Sequence, residues 1–220
     1  MTMKNLVLVL FVFISNIVLS QLNTDSIESI MIRLTRKDRD LKGSSFLYTS
    51  ERCKKTSKIH LDYTLKYLDG KSLSHYETIP FYCKKTLTNP SDRYGLFNKD
   101  SISVEISDDY YVKSTLWGYS AEIMTALYIK NINQSDINEV IAKMFFDKFK
   151  KSPSHYNSMM ENPLSNNIYR GNFSIGYKKV ILNGDEYFSF YCVGVFDTSI
   201  YFNSFPVQYK RSQQSNFYLD

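Results

Sequence analysis

Three histidines and three cysteines are the residues of this chain best suited to proton transfer, nucleophilic attack or metal binding. Two of the histidines directly follow a serine, in Ser74-His75 and Ser154-His155. That adjacency invites a hydrolase reading, but nucleophile, base and orienting acid are assembled in space rather than along the chain. The Gly-x-Ser-x-Gly elbow of the α/β-hydrolases is absent. Ser152, before Pro153, has the order of a helix cap, which is a structural task. His75 and His155 stand eighty residues apart, so spacing alone does not make them a metal pair. His60 falls beside Leu61 on a helical apolar stripe and reads as a packed histidine, hydrogen-bonded to a neighbour.

The cysteines are Cys53, Cys83 and Cys192, and none sits in a metal-binding spacing or a recognisable nucleophile motif. Cys192 lies within the apolar run Phe188–Phe196 and reads as a small buried hydrophobe. Cys53 and Cys83 are the two for which a disulfide is open, provided the chain reaches an oxidising compartment.

The first residues point there. Lys4 supplies a positive start, an apolar run extends from Leu6 to Leu19, and Ser15 and Asn16 alone interrupt it. Val18 and Ser20 stand three and one residues before the peptide bond to Gln21, the pattern of a signal-peptidase site. The run is shorter than the roughly 20 apolar residues of a spanning helix, and no later segment is long and apolar enough to span. No cysteine follows the expected cut, so a lipid anchor is not expected. The expected layout is a signal peptide over residues 1–20, one domain over 21–200 and an aromatic, polar tail over 201–220. Export to the periplasm, the cell surface or the medium follows. The tail carries Tyr201, Phe202, Phe205 and Tyr209 and is expected to pack back on the domain.

The formal net charge of +5 is spread along the chain, in Lys-Lys pairs at 54–55, 84–85, 150–151 and 178–179. Nucleic-acid binding needs a clustered basic stripe and a reader motif, and neither is present. The basic pairs read as solvated surface.

Periodicity supplies the elements. Ile27, Ile30, Met31 and Leu34 predict one helix. Cys53, Ser57, Leu61, Leu65 and Leu68 predict a second, from about Ser50 to Asp69, with Gly70 as its stop. Ser120 is expected to cap a short helix through Tyr128. Ser135-Asp136, with Glu139 placed for a capping box, opens another with Ile137, Val140, Ile141, Met144, Phe145 and Phe149 inward. Ser152-Pro153 starts a further helix that holds His155 in its first turn. Phe173, Ile175 and Tyr177 then alternate as a strand, and Asn183-Gly184 turns it into Tyr187–Phe196. That second strand is apolar on both faces and needs a layer above and below. The expected fold class is α+β, a three-layer α-β-α sandwich around a mainly antiparallel sheet.

Four short signatures occur in order. They are His60-Leu61-Asp62-Tyr63 followed by Leu73-Ser74-His75, then Arg93-Tyr94-Gly95 read as a turn, then Ala121-Glu122-Ile123. The last is Phe149-Lys150-Lys151-Ser152-Pro153-Ser154-His155-Tyr156-Asn157 with Ile175-Gly176-Tyr177 and Tyr191–Phe196. Over about residues 25–197 this set resembles the CAP superfamily (cysteine-rich secretory proteins, antigen 5 and pathogenesis-related class 1), in its bacterial form. Three positions depart from the pattern: Ile123 replaces an asparagine, Phe149 a tryptophan and Tyr156 an arginine.

The resemblance implies an open cleft formed by His75, Glu122 and His155, with Ser74, Ser154 and Asp147 as further cleft candidates. Two imidazoles and a carboxylate can hold a divalent ion such as zinc and leave a position for water. A helix N-terminus at His155 favours its neutral, ligating form. Family members bind metal ions, lipids or proteins. A secreted, non-enzymatic binding module with an unidentified protein or lipid partner is therefore the expectation. The alternative is a metal-dependent hydrolase of peptides or envelope material that uses the same cleft.

Overall fold

The computed structural model describes residues 22–68, 73–82, 87–97, 102–106, 112–130, 132, 135–161 and 168–203, with backbone alone over 102–106, 112–117 and 199–203. The signal-peptide expectation, Cys83 and the tail after residue 203 lie outside the described residues.

Helix α1 (Thr24–Leu41) opens on Asn23, whose side chain accepts from the Ser26 amide at 3.0 Å. Its predicted stripe is buried at Ile27 and Met31, with Ile30 and Leu34 half-buried against the same core. Strand β1 (Leu47–Thr49) leads into α2 (Glu51–Tyr67), capped by Ser50. Cys53, Ser57 and Leu61 are buried there as the periodicity requires, and Cys53 is a free thiol. A short α3 (Pro90–Gly95) replaces the turn expected at Arg93-Tyr94-Gly95. Asn89 and Asp92 form a reciprocal capping box around Pro90 at its first position, which is enough to hold one turn of helix.

Strands β2 (Ile102–Ile106) and β3 (Val112–Ile129) follow, and β3 corrects an expectation. Ser120–Tyr128 is strand, not helix. Ala, Glu, Met and Leu in that stretch favour a helix locally, but tertiary burial overrides so weak a preference. Ile123 and Leu127 enter one apolar cluster while Met124 and Ala126 enter another. Both faces are covered, so the polar–apolar alternation that reveals a strand is missing. The pairing of β3 slips between Tyr119 and Ala121, a bulge at Ser120.

Helix α4 (Ile137–Lys150) buries Ile137, Ile141, Phe145 and Phe149, each worth about 1.5–3 kcal/mol relative to exposure. Met144 stands off that stripe and is 40% exposed, against expectation. The predicted capping box is also absent: Asp136 makes no side-chain cap bond, and Glu139 instead pairs with Arg33 of α1 at 2.9 Å. Helix α5 (Pro153–Met160) starts as predicted, although Ser152 caps by position without a side-chain bond.

Strands β4 (Tyr169–Leu182) and β5 (Asp185–Asn203) form the predicted hairpin. Asn183 and Gly184 take φ of 53° and 86°, the left-handed pair that a two-residue turn demands. Because β5 runs to Asn203, the first residues of the expected tail belong to the sheet. Its order is β1-β4-β5-β3-β2, antiparallel except for β1 against β4. The fold is α+β.

Side chains of β5 alternate between the two clusters: Phe190, Cys192 and Phe196 pack with α1, α4 and α5, while Tyr191, Val193 and Val195 pack with α2 and α3. Gly176 lets α2 approach β4, since a Cβ there would lie 2.7 Å from Leu65 Cδ1. Glu28 of α1 accepts from the Ile175 amide at 3.0 Å, satisfying β4 where β1 no longer pairs with it. Among the described residues, no helix is long and apolar enough to cross a membrane.

Candidate functional site

Glu122 is the centre of the site. It lies on β3 beyond the stretch paired with β2, and its carboxylate is fully buried. Three elements reach it from the same side of the sheet. The segment after α2 brings His75, whose Nδ1 donates to Glu122 Oε1 at 3.0 Å. Helix α3 brings Arg93, whose Nη2 donates to the same oxygen at 2.7 Å and to the His75 carbonyl at 2.9 Å. Helix α2 brings His60, with Nε2 3.8 Å from Glu122 Oε1.

His60 behaves as the packed, hydrogen-bonded histidine expected, yet it belongs to this cluster. Its Nδ1 faces Glu77 Oε1 at 3.1 Å and its Nε2 faces the Ser74 carbonyl at 2.9 Å. Each ring nitrogen of His60 thus has an oxygen partner. Arg93 Nη1 also lies 3.4 Å from Glu77 Oε1. The buried Arg93 guanidinium thus faces two buried carboxylates, Glu122 and Glu77, and supplies the counter-charge that buried carboxylates need.

The electrostatics agree. Burial alone raises the Glu122 pKa, but the His75 hydrogen bond, the charge on His60 and Arg93 outweigh it and hold the group below the ordinary carboxylate value. Because the folded value is depressed, the stability gained is present above the ordinary carboxylate range and is lost as pH falls through the folded value.

His155 occupies the first turn of α5, as predicted, with its ring edge-on to Phe149 at 5.6 Å. Its pKa is lowered, first by burial and then by the charge of His75. His75 donates from Nδ1, and its Nε2 makes no hydrogen bond within the described residues. His75→Ala is expected to raise the His155 pKa toward the usual histidine value of about 6.5. An NMR titration of the His155 ring proton reads that shift directly, and no change would place His75 too far away to act. The sign for stability is opposite to that of a paired histidine: protonating His155 destabilises the fold as pH falls below about 6.5.

The remaining candidates do not join the site. The Ser74 hydroxyl donates to the Tyr76 carbonyl at 3.2 Å and accepts from its amide at 3.0 Å, a local turn. The Ser154 hydroxyl is exposed and pairs with Ser152. Asp147 lies on the solvent face of α4, opposite the stripe that ends in Phe149, and has no hydrogen bond to Glu122, His75 or His155 among the described residues. Among the described residues, no three His, Cys, Asp or Glu side chains form a group that could hold a metal ion. Sequence reasoning missed Glu77 and the roles of Arg93 and His60. The Asn89-Pro90-x-Asp92 cap was a readable sign that Arg93 sits on a helix.

No protein-family model matches the chain, and no curated protein matches it. Among solved structures it is similar to an outer surface protein from Borrelia burgdorferi, at 12% identity, covering 80% of this chain and 95% of that one with a TM-score of 0.38. A likeness that slight transfers neither fold nor function.

Proposed function

We propose that this chain is an exported, non-enzymatic binding module of CAP type, a three-layer α-β-α sandwich whose ligand meets it beside His75 and His155. The observation that carries the reading is the buried Glu122 carboxylate holding His75 by Nδ1 at 3.0 Å. Apolar clusters on both faces of the sheet support the sandwich. The leader at residues 1–20 supports export.

A histidine whose Nδ1 is fixed by a carboxylate offers its Nε2 lone pair outward, the arrangement of histidines that bind metals. Burial lowers the His155 pKa and so favours the neutral form, which is the ligating one. His75 and His155 would be two of the three or four ligands that a divalent ion such as zinc takes, the remaining positions falling to water or to the bound partner. Glu122 is then the group that orients His75, since it is fully buried and its Oε1 accepts from both Arg93 and His75. Bound there, such an ion would supply Lewis acidity and a polarised water. Lipid and protein partners are the other ligand classes that the resemblance implies.

Calorimetric titration with zinc tests the reading. One site is expected, weakened at least about tenfold by either His75→Ala or His155→Ala, and by about 10–100-fold in Glu122→Gln through loss of orientation. Unchanged affinity in the double histidine variant overturns the metal cleft. Zinc-dependent peptide hydrolysis that disappears in His75→Ala would replace the binding module with a hydrolase.

A further inference from the structure

Helix α3 has six residues, far fewer than the about 12–15 that make an isolated helix even marginal, so its place is set by what its side chains grip. Two neighbouring residues do this. Arg93 donates to Glu122 at 2.7 Å and to the His75 carbonyl at 2.9 Å. Tyr94 donates its hydroxyl to Asp197 Oδ2 at 2.9 Å and accepts from Arg52 at 3.2 Å. Burial first, and the Asp197 charge second, push the Tyr94 phenol far above its ordinary value, so it stays a donor.

Asp197 is itself fixed to the sheet. It stands on β5 directly opposite Arg170 of β4, which donates to both of its oxygens at 2.9 Å. A bidentate, charge-assisted pair of this kind is stronger than a neutral hydrogen bond and is held to one geometry. The carboxylate is fully buried and also accepts from Ser50, the cap of α2, at 3.4 Å. Asp197 lies two residues beyond Val195, the β5 partner of Glu122. Two buried carboxylates thus stand on neighbouring strands, and α3 is held to both, by Arg93 at one and by Tyr94 at the other. Glu122 Oε1 accepts from Arg93 and His75 alike, so a displaced Arg93 is felt at the bond that holds His75.

We infer that Asp197 is a positioning residue for His75. Through Tyr94 it holds α3, α3 holds Arg93 on Glu122 and on the His75 carbonyl, and these set the orientation in which His75 presents Nε2. The inference rests on the reading of His75 as the group that faces the ligand, and it extends the site to residues on α3 and β5 that lie behind it.

Long-range proton–nitrogen NMR correlation of the isotope-labelled protein tests it. At a pH about two units above the usual histidine value of about 6.5, the spectrum reads which nitrogen of His75 carries the proton. The parent is expected to carry it on Nδ1, as the bond to Glu122 requires. Tyr94→Phe removes one hydroxyl and leaves the Asp197–Arg170 pair in place. It is expected to lower the ratio of the Nδ1–H to the Nε2–H form by about three- to tenfold, the weight of one hydrogen bond. Asp197→Asn is expected to lower it at least as far. Ile141→Val, in the cluster on the other face of the sheet, is expected to lower the thermal midpoint and leave the ratio unchanged. An unchanged ratio in Tyr94→Phe overturns the inference. So does an equal change in Ile141→Val, which would reduce the effect to general loosening, or a parent with its proton on Nε2. The spectrum needs no ligand, so the two readings fail separately: zinc that does not bind a parent with the expected Tyr94→Phe response overturns the metal cleft alone.

Discussion

Arg93→Ala is expected to destabilise the protein by about 3–5 kcal/mol, because it strands buried carboxylates without their strongest counter-charge. The guanidinium is fully buried and serves four acceptors: Glu122, Glu77 and the carbonyls of His75 and Leu87. Glu77 Oε2 and Glu122 Oε2 already lack partners among the described residues, so no spare donor is at hand to compensate. Such a loss is a large share of the about 5–15 kcal/mol by which domains are usually stable. Urea unfolding of parent and variant gives the value. Lysine should rescue little, since a point charge cannot serve four acceptors spread around a planar fork. Adding Glu122→Gln should recover part of the loss, and the cycle measures a coupling of about 0.5–3 kcal/mol. A loss under about 1 kcal/mol would mean that solvent reaches the cluster.

Phe149→Ala comes next, at about 3–5 kcal/mol from lost burial and the cavity left behind. The side chain has no exposed surface, packs on Phe173 with ring centroids 6.3 Å apart and meets His155 edge-on. It joins α4 to the sheet and packs against the His155 ring at once. The variant should therefore show two effects that a purely structural residue would not combine. Its thermal midpoint falls, and the His155 pKa rises because the ring that excludes water from it is gone. Phe149→Leu should keep most of the stability and much of the His155 shift. A destabilised variant with an unmoved His155 titration would confine Phe149 to the core.

What could be read from sequence depended on how local its cause was. The stripes of α1, α2 and α4 are set by spacing within one element, and they appear where spacing puts them. Asn183-Gly184 needs only its own backbone to form a turn. Strand β3 escaped because its burial on both faces erased the period of two, leaving helix-forming residues to mislead. The site divided along the same line. His155 was placed at its helix start by Ser152-Pro153, a local signal. Glu77 carried none: it matters only because α2 and α3 fold back to set His60 and Arg93 against it. Asp147 was chosen by position along α4, and helical phase turned it outward. Cys53 shows a further limit, since a thiol buried beside Asp197 has its pKa pushed up by burial first and by that charge second, which makes it inert.

The central claim is that His75, fixed by Glu122, and His155 form one binding site. An anomalous difference map from a zinc-soaked crystal tests it most directly. A single strong peak shared by His75 Nε2 and the His155 ring is expected, with the Glu122 bond to Nδ1 intact. Zinc bound only elsewhere, or histidines that each face solvent without a common peak, would contradict it.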